Sequence, residues 1–192
     1  MATLKERLTI ELTRDKRRYL KTHPHTLLVG EENVVVLNEI LGQMMSKNSP
    51  EDMSVMSFLE DNSILDIPHE YYEYDHPVPI DALQRIINQR QSFVLEHGIK
   101  SIIDESLRYD EAILPFIFVI FDERTDPQMI HTLIKESRGL CIFFINMVSE
   151  DMARHIDPKI LMPYEGMLLT KRENGVVVVQ IVEYLYELHF ER

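Results

Sequence analysis

The stretch HPHTLLVGEENVVVLNEILGQMM, residues 23–45, reads as a buried strand, a turn at Gly30 and a helix. TLLVG (26–30) is a continuous apolar run ending at glycine, the pattern of a strand covered on both faces. Val34, Leu37, Ile40, Leu41, Met44 and Met45 then recur at helical spacing, and Lys47-Asn48-Ser49-Pro50 stops the helix. A strand, a glycine turn and a helix in this order form the frame of a phosphate-binding loop. The loop contradicts its frame. After Gly30 come Glu31, Glu32, Asn33, Val34, Val35 and Val36, with no second glycine, no lysine and no serine or threonine.

Working outward, strands and helices alternate. LTIEL (8–12) has the alternation of a half-buried strand, and MSVMSFL (53–59) reads as a buried one. Residues 62–79 read as irregular, with three prolines and an acidic tyrosine patch, EYYEYDH. A long amphipathic helix begins at Asp81, carries Leu83, Ile86, Ile87, Arg90 and Val94 on one stripe, and is capped at Gly98. A shorter helix covers 101–108. PFIFVIF (115–121) is the most strand-like segment of the chain, and Asp126 with Pro127 opens a helix that ends near Arg138-Gly139. CIFFIN (141–146) is another buried strand, and residues 166–184 read as two strands joined by Glu173-Asn174-Gly175, since Asn-Gly is a strong hairpin signal. Strands separated by helices predict an α/β fold: a mostly parallel sheet, helices on both faces and a closing antiparallel hairpin. Ligands of such sheets sit at the carboxyl ends of the strands, where Gly30, Asp122 and Asn146 fall.

Bulk properties bound the function. A chain of 192 residues is long enough for one domain with a sizeable core, so residues 1–192 are expected to form one unit. A net charge of -12 argues against a nucleic-acid surface, which draws its affinity from clustered Lys and Arg. The one basic run, Lys16-Arg17-Arg18 with Lys21, reads as a solvated turn or helix face. Cys141 lies in an apolar run, with no cation expected near it, and reads as a small buried hydrophobe. One cysteine allows no internal disulfide, and the longest apolar runs fall well short of a bilayer span. A cytoplasmic location without direct membrane insertion is expected.

The order of these pieces resembles the motor domain of the FtsK/SpoIIIE family of P-loop translocases, which includes the ATPases of type VII secretion. The likeness covers roughly residues 8–182. PHTLLVG is similar to the family's strand into its phosphate loop. VLNEILGQMMSKNSPEDMSVMSFLED resembles the following helix, its asparagine, a turn ending in Pro-Glu and a strand ending in an acid. LDIPH followed by VPIDALQRIINQRQSFVLEHGIKSI resembles the family's IPH element and long helix. LPFIFVIFDE resembles the Walker B strand and is the most specific match. The resemblance implies a RecA-like P-loop NTPase fold.

The departures from the family pattern imply a degenerate site. The family's loop supplies a lysine to the phosphates and a hydroxyl to magnesium. Here Gly30, Glu31, Glu32 and Asn33 stand instead, and the loop is about three residues short when counted to Asn38. Each carboxylate so placed repels a nucleotide by about 1–4 kcal/mol at close range. The family's polar sensor, with glutamine and arginine, is replaced by Ile145, Asn146 and Met147, and the elements beyond it look trimmed. Asp122 and Glu123 remain as Walker B remnants. The resemblance gives them the roles of a magnesium–water ligand and a carboxylate that polarises the attacking water. The alternative is an inherited strand end whose acids are solvated or pair with Arg124.

The resulting expectation is a non-catalytic relative of translocase motors, needing no cofactor, that acts as a protein-interaction or regulatory module. Its expected partner is a protein, either an active motor of the same family or a second copy. Tyr71, Tyr72 and Tyr74 are the candidate interaction residues, because tyrosines are enriched in interface hot spots. The competing reading is an active NTP-dependent translocase component, using ATP and magnesium, whose site another chain completes. His23, His25, His69 and His76 invite a metal reading, but no ligand spacing supports it and surface or capping roles are expected. No GxSxG elbow is present, and the methionines fall largely on apolar stripes as core filler.

Overall fold

The continuous apolar runs become the middle of a seven-stranded sheet. The structure is a computed structural model and describes residues 2–14, 16–71, 79–164 and 167–182. In chain order the elements are α1 (Leu4–Arg7), β1 (Thr9–Thr13), β2 (Lys16–Tyr19), β3 (Thr26–Gly30), α2 (Asn33–Lys47), β4 (Met53–Ser57), β5 (Glu70–Tyr71), α3 (Pro79–Glu96), α4 (Ile102–Tyr109), β6 (Phe116–Phe121), α5 (Pro127–Glu136), β7 (Ile142–Val148), α6 (Glu150–His155), α7 (Pro158–Leu161), β8 (Met167–Glu173) and β9 (Val176–Val182). Single 3₁₀ turns lie at Asn62–Ile64 and Met162–Tyr164.

The strand order is β5-β4-β6-β7-β3-β8-β9. Every neighbouring pair is parallel except β8 with β9, which is the closing antiparallel hairpin. The four expected strands near 26–30, 53–59, 115–121 and 141–146 are therefore adjacent and parallel. Every residue of β6 and β7 is buried, which is why neither strand shows alternation in the sequence. Phe58 and Phe121 stack with ring centroids 4.9 Å apart at the ends of β4 and β6. Leu37, Ile40, Leu41 and Met44 of α2, Leu83 and Ile87 of α3, and Ile130 and Leu133 of α5 close over the sheet as one core. At the hairpin, Asn174 and Gly175 have φ of 51° and 81°, the left-handed pair that a two-residue turn between twisted strands requires.

Several boundaries and one reading differ from expectation. The basic run is not a solvated turn: Lys16–Tyr19 is a strand, and Arg18 points inward at 5% exposure, donating from Nη2 to the carbonyls of His25 (2.7 Å) and Tyr164 (2.8 Å). β1 and β2 form a separate two-stranded sheet. Gln43 of α2 holds it, accepting from the Glu11 N–H and donating to the Glu11 carbonyl, each at 2.8 Å. Cys141 is not mid-strand but precedes β7 at φ 58°, and a cation is close, since Arg90 Nη1 donates to its carbonyl at 3.2 Å. Arg90 also holds the carbonyls of Leu140 and Pro115, each at 2.6 Å, and so ties α3 to the entry of β6 and β7. The trimmed stretch after β7 is two short helices and a 3₁₀ turn. Among the described residues, no helix is long and apolar enough to cross a membrane.

Candidate functional site

Because β3, β6, β7 and β8 run parallel, their carboxyl ends lie along one edge of the sheet. Gly30, Phe121, Val148 and Glu173 end these strands. At that edge β3 passes into α2 through only Glu31 and Glu32.

Gly30 has φ of +131°. A Cβ placed on it would lie 2.1 Å from the Thr170 backbone oxygen of β8, with which Gly30 is paired. This glycine admits a neighbouring strand. Asn33, the first residue of α2, is 7% exposed and points back toward the strand ends. Its Nδ2 donates to the Val148 carbonyl at 2.9 Å, and its Oδ1 accepts from the Thr170 hydroxyl at 2.7 Å. One side chain thereby stitches the ends of β7 and β8 to the start of α2.

Glu32 is held by Arg172, with Nε to Oε1 at 2.7 Å and Nη2 to Oε2 at 2.9 Å. The guanidinium holds the Glu32 carboxyl below the usual carboxylate range. This corrects the repulsion argument for that residue, whose charge is matched by a fork of two parallel hydrogen bonds. Glu31 remains exposed. Both carboxylates sit beside a helix N-terminus that carries no side-chain cap, where negative charge is favourable. They supply there the charge that a bound phosphate brings to such a helix.

Asp122 and Glu123, the Walker B candidates, are also engaged. Asp122 Oδ2 accepts from the Glu60 N–H at 3.0 Å, and Oδ1 accepts from the Arg124 N–H at 3.1 Å. The Arg124 guanidinium straddles both oxygens, with Nε at 3.1 and 3.2 Å and Nη2 at 3.0 Å from Oδ2. Glu123 Oε2 accepts from the Ser149 N–H (3.0 Å) and hydroxyl (2.8 Å), and Ser149 in turn caps α6. Asn146, expected at a strand end, lies inside β7 because that strand runs on to Val148. It is 3% exposed and lies near the Tyr164 hydroxyl, whose pKa burial pushes up.

The turn after Gly30 offers no lysine or hydroxyl to a nucleotide phosphate, Asn33 is bonded to Val148 and Thr170, and the Asp122 oxygens are bonded to Arg124 and the Glu60 N–H. Among the described residues no group of three His, Cys, Asp or Glu side chains could hold a metal ion. His25 is buried and its Nδ1 accepts from the Phe144 N–H at 3.3 Å, while His23 meets Thr22 and His69 meets the Ile67 carbonyl. Tyr71 ends β5 but its side chain, with Tyr72, Tyr74 and His76, lies outside the described residues. Sequence reasoning missed Thr170 and Arg172, which close the site from more than 130 positions away; the hairpin signal places their strand but not its neighbour.

No protein-family model matches this chain, and no curated protein does. Solved structures do. ATPases 2 and 3 of EssC from Geobacillus thermodenitrificans superpose with a TM-score of 0.66 at 18% identity, over 80% of this chain and 33% of that one. The cytoplasmic domain of the type VII secretion ATPase EccC from Thermomonospora curvata gives 0.64 at 17% identity, over 88% of this chain and 24% of that one. The pCW3 conjugation coupling protein TcpA, in its monomer form with ATPγS, gives 0.59 at 18% identity, over 82% and 51%. This chain thus spans between a quarter and a half of each relative's length, and what it shares with them is the RecA-like fold of their ATPase modules.

Proposed function

We propose that residues 1–192 act as one RecA-like domain that neither binds nor hydrolyses ATP and works in the cytoplasm as a protein-interaction or regulatory module. The observation that carries this reading is the Asn33 bridge, which joins Val148 and Thr170 across the place a phosphate loop would occupy. Three further features agree with it: the two-residue turn after Gly30, the Arg172 clasp on Glu32, and the Arg124 clasp on Asp122. Opening such a site would break the two buried hydrogen bonds of Asn33 at about 1–3 kcal/mol each, with no lysine to recover the loss.

The partner is proposed to be a protein. The two-ATPase structure of EccC from T. curvata, similar in fold over 34% of its length at 16% identity, has been solved in complex with a signal sequence peptide, which supports looking for a polypeptide partner. The net charge of -12 disfavours a nucleic-acid partner.

A phosphate-release assay on the purified chain tests the catalytic half of the proposal. Wild type and Glu123→Gln should give the same background rate with ATP and magnesium. A turnover above background that Glu123→Gln removes would establish the competing reading, a working ATPase component.

A further inference from the structure

At the opposite, amino edge of the sheet lies a cleft of about 470 Å³ between the β2–β3 connection, the start of α4 and the α5–β7 turn. Its floor and walls are Pro24, His25, Ile103, Cys141, Ile142 and Phe143. Lys21, Lys100 and Arg138 supply its charge. The volume lies in the range of small-molecule sites.

The charge balance here is reversed from that of the molecule. The chain carries 32 acidic and 20 basic side chains, yet this cleft has three cations against the single carboxylate of Asp104. Asp104 is already consumed: Lys21 Nζ lies 2.7 Å from its Oδ1, and the Ser101 hydroxyl donates to its Oδ2 at 2.6 Å. Those partners hold its carboxyl below the usual range, so it stays charged and balances Lys21. Lys100 and Arg138 are exposed and make no ion pair among the described residues. The α4 N-terminus does not compete for an anion, because the Ile102 and Ile103 N–H groups both donate to the Gly139 carbonyl. His25 adds no charge: burial and the nearby Arg18 lower its pKa to about 3. Lys100, which acts on Asp104 only at longer range, and Arg138 therefore stand over a partly apolar floor as two cations outside any ion pair among the described residues.

We infer that this cleft binds a small phosphate-bearing molecule, seated between Lys100 and Arg138. A phosphate dianion matches both charges, and the guanidinium fork of Arg138 suits two of its oxygens, whereas one carboxylate would leave a cation unmatched. The site is independent of the carboxyl edge, because it lies at the entries of the strands: Pro24 and His25 come just before β3, and Ile142 and Phe143 are the first residues of β7.

The test is calorimetric titration of the full chain with inorganic pyrophosphate, ribose 5-phosphate and citrate, repeated by amide NMR. Saturable binding of a phosphate ligand is expected, with shifts confined to residues 21–25, 100–104 and 137–143. The double variant Lys100→Ala/Arg138→Ala should weaken it roughly tenfold or more, from the loss of charge-assisted hydrogen bonds. Both side chains are exposed, so that variant should keep the wild-type melting temperature; Asp122→Ala, at the other edge, should bind as wild type does. Preference between pyrophosphate and ribose 5-phosphate separates an inorganic anion from a phosphorylated metabolite. No saturation at millimolar ligand, equal affinity in the double variant, or citrate binding as tightly as both phosphates would overturn the assignment.

Discussion

Replacing Gly30 by alanine asks directly what this glycine is for. The added Cβ would lie 2.1 Å from the Thr170 backbone oxygen, and reaching ordinary contact requires the two strands to part by roughly 1.3 Å. The obstacle is backbone, so no rotamer change relieves it. The φ of +131° is itself foreign to a residue with a side chain, at about 1–3 kcal/mol. Overpacking adds about 1–3 kcal/mol more, for a total loss of roughly 2–6 kcal/mol. That is a large part of the 5–15 kcal/mol that typically holds a domain folded. Gly42 is the internal control: it lies on the exposed side of α2 with nothing within 4 Å of its Cβ position. Gly42→Ala should raise stability by about 0.5–1 kcal/mol through helix propensity alone. Urea unfolding followed by circular dichroism reads both, as opposite shifts of the midpoint at equal slope. A Gly30→Ala protein within about 0.5 kcal/mol of wild type would refute the close β3–β8 approach, and with it the closed turn.

Burial makes His25 a pH liability. Its folded pKa of about 3 lies below its ordinary unfolded value, so the folded state binds fewer protons and stability is full above about pH 6.5 and lost as pH falls toward 3. Between pH 7.5 and pH 5 the loss should be about 2 kcal/mol by urea unfolding, above the range where carboxylates titrate; His25→Gln should flatten this interval, and an unchanged slope would show that His25 is not the group responsible. Cys141 should resist thiol reagents in the native state, because burial pushes its pKa up to about 12 despite the neighbouring Arg90. Labelling as fast as in denaturant would place Cys141 at the surface.

Most of the sheet was legible because its strands announce themselves by composition. TLLVG and PFIFVIF are apolar throughout since both faces are covered, and Asn174-Gly175 marked the hairpin by its turn chemistry. Asp126 and Pro127 open α5 as their residue types dictate. KRRY was misread because three charges hide a strand whose third residue, Arg18, turns inward to the carbonyl oxygens of His25 and Tyr164. At the carboxyl edge the sequence showed that the lysine, hydroxyl and glycines were missing. It could not show what replaced them. The Asn33–Thr170 and Glu32–Arg172 pairs join residues that only the placement of β8 beside β3 brings together. The cation beside Cys141 was invisible for the same reason: Arg90 looked like one more member of a helical stripe, and its three carbonyl partners lie in loops.

The most direct test of the closed site is calorimetric titration with ATPγS, with and without magnesium, on the wild-type chain and on Asp122→Ala. The account predicts no magnesium-dependent isotherm in either protein, and any weak heat from the amino-edge cleft should survive Asp122→Ala and vanish in Lys100→Ala/Arg138→Ala. A parallel thermal scan should show no magnesium-dependent stabilisation, where a ligand at a hundred times its dissociation constant would add about 2.7 kcal/mol. A micromolar, magnesium-dependent isotherm abolished by Asp122→Ala would contradict the account and make the carboxyl edge a working nucleotide site.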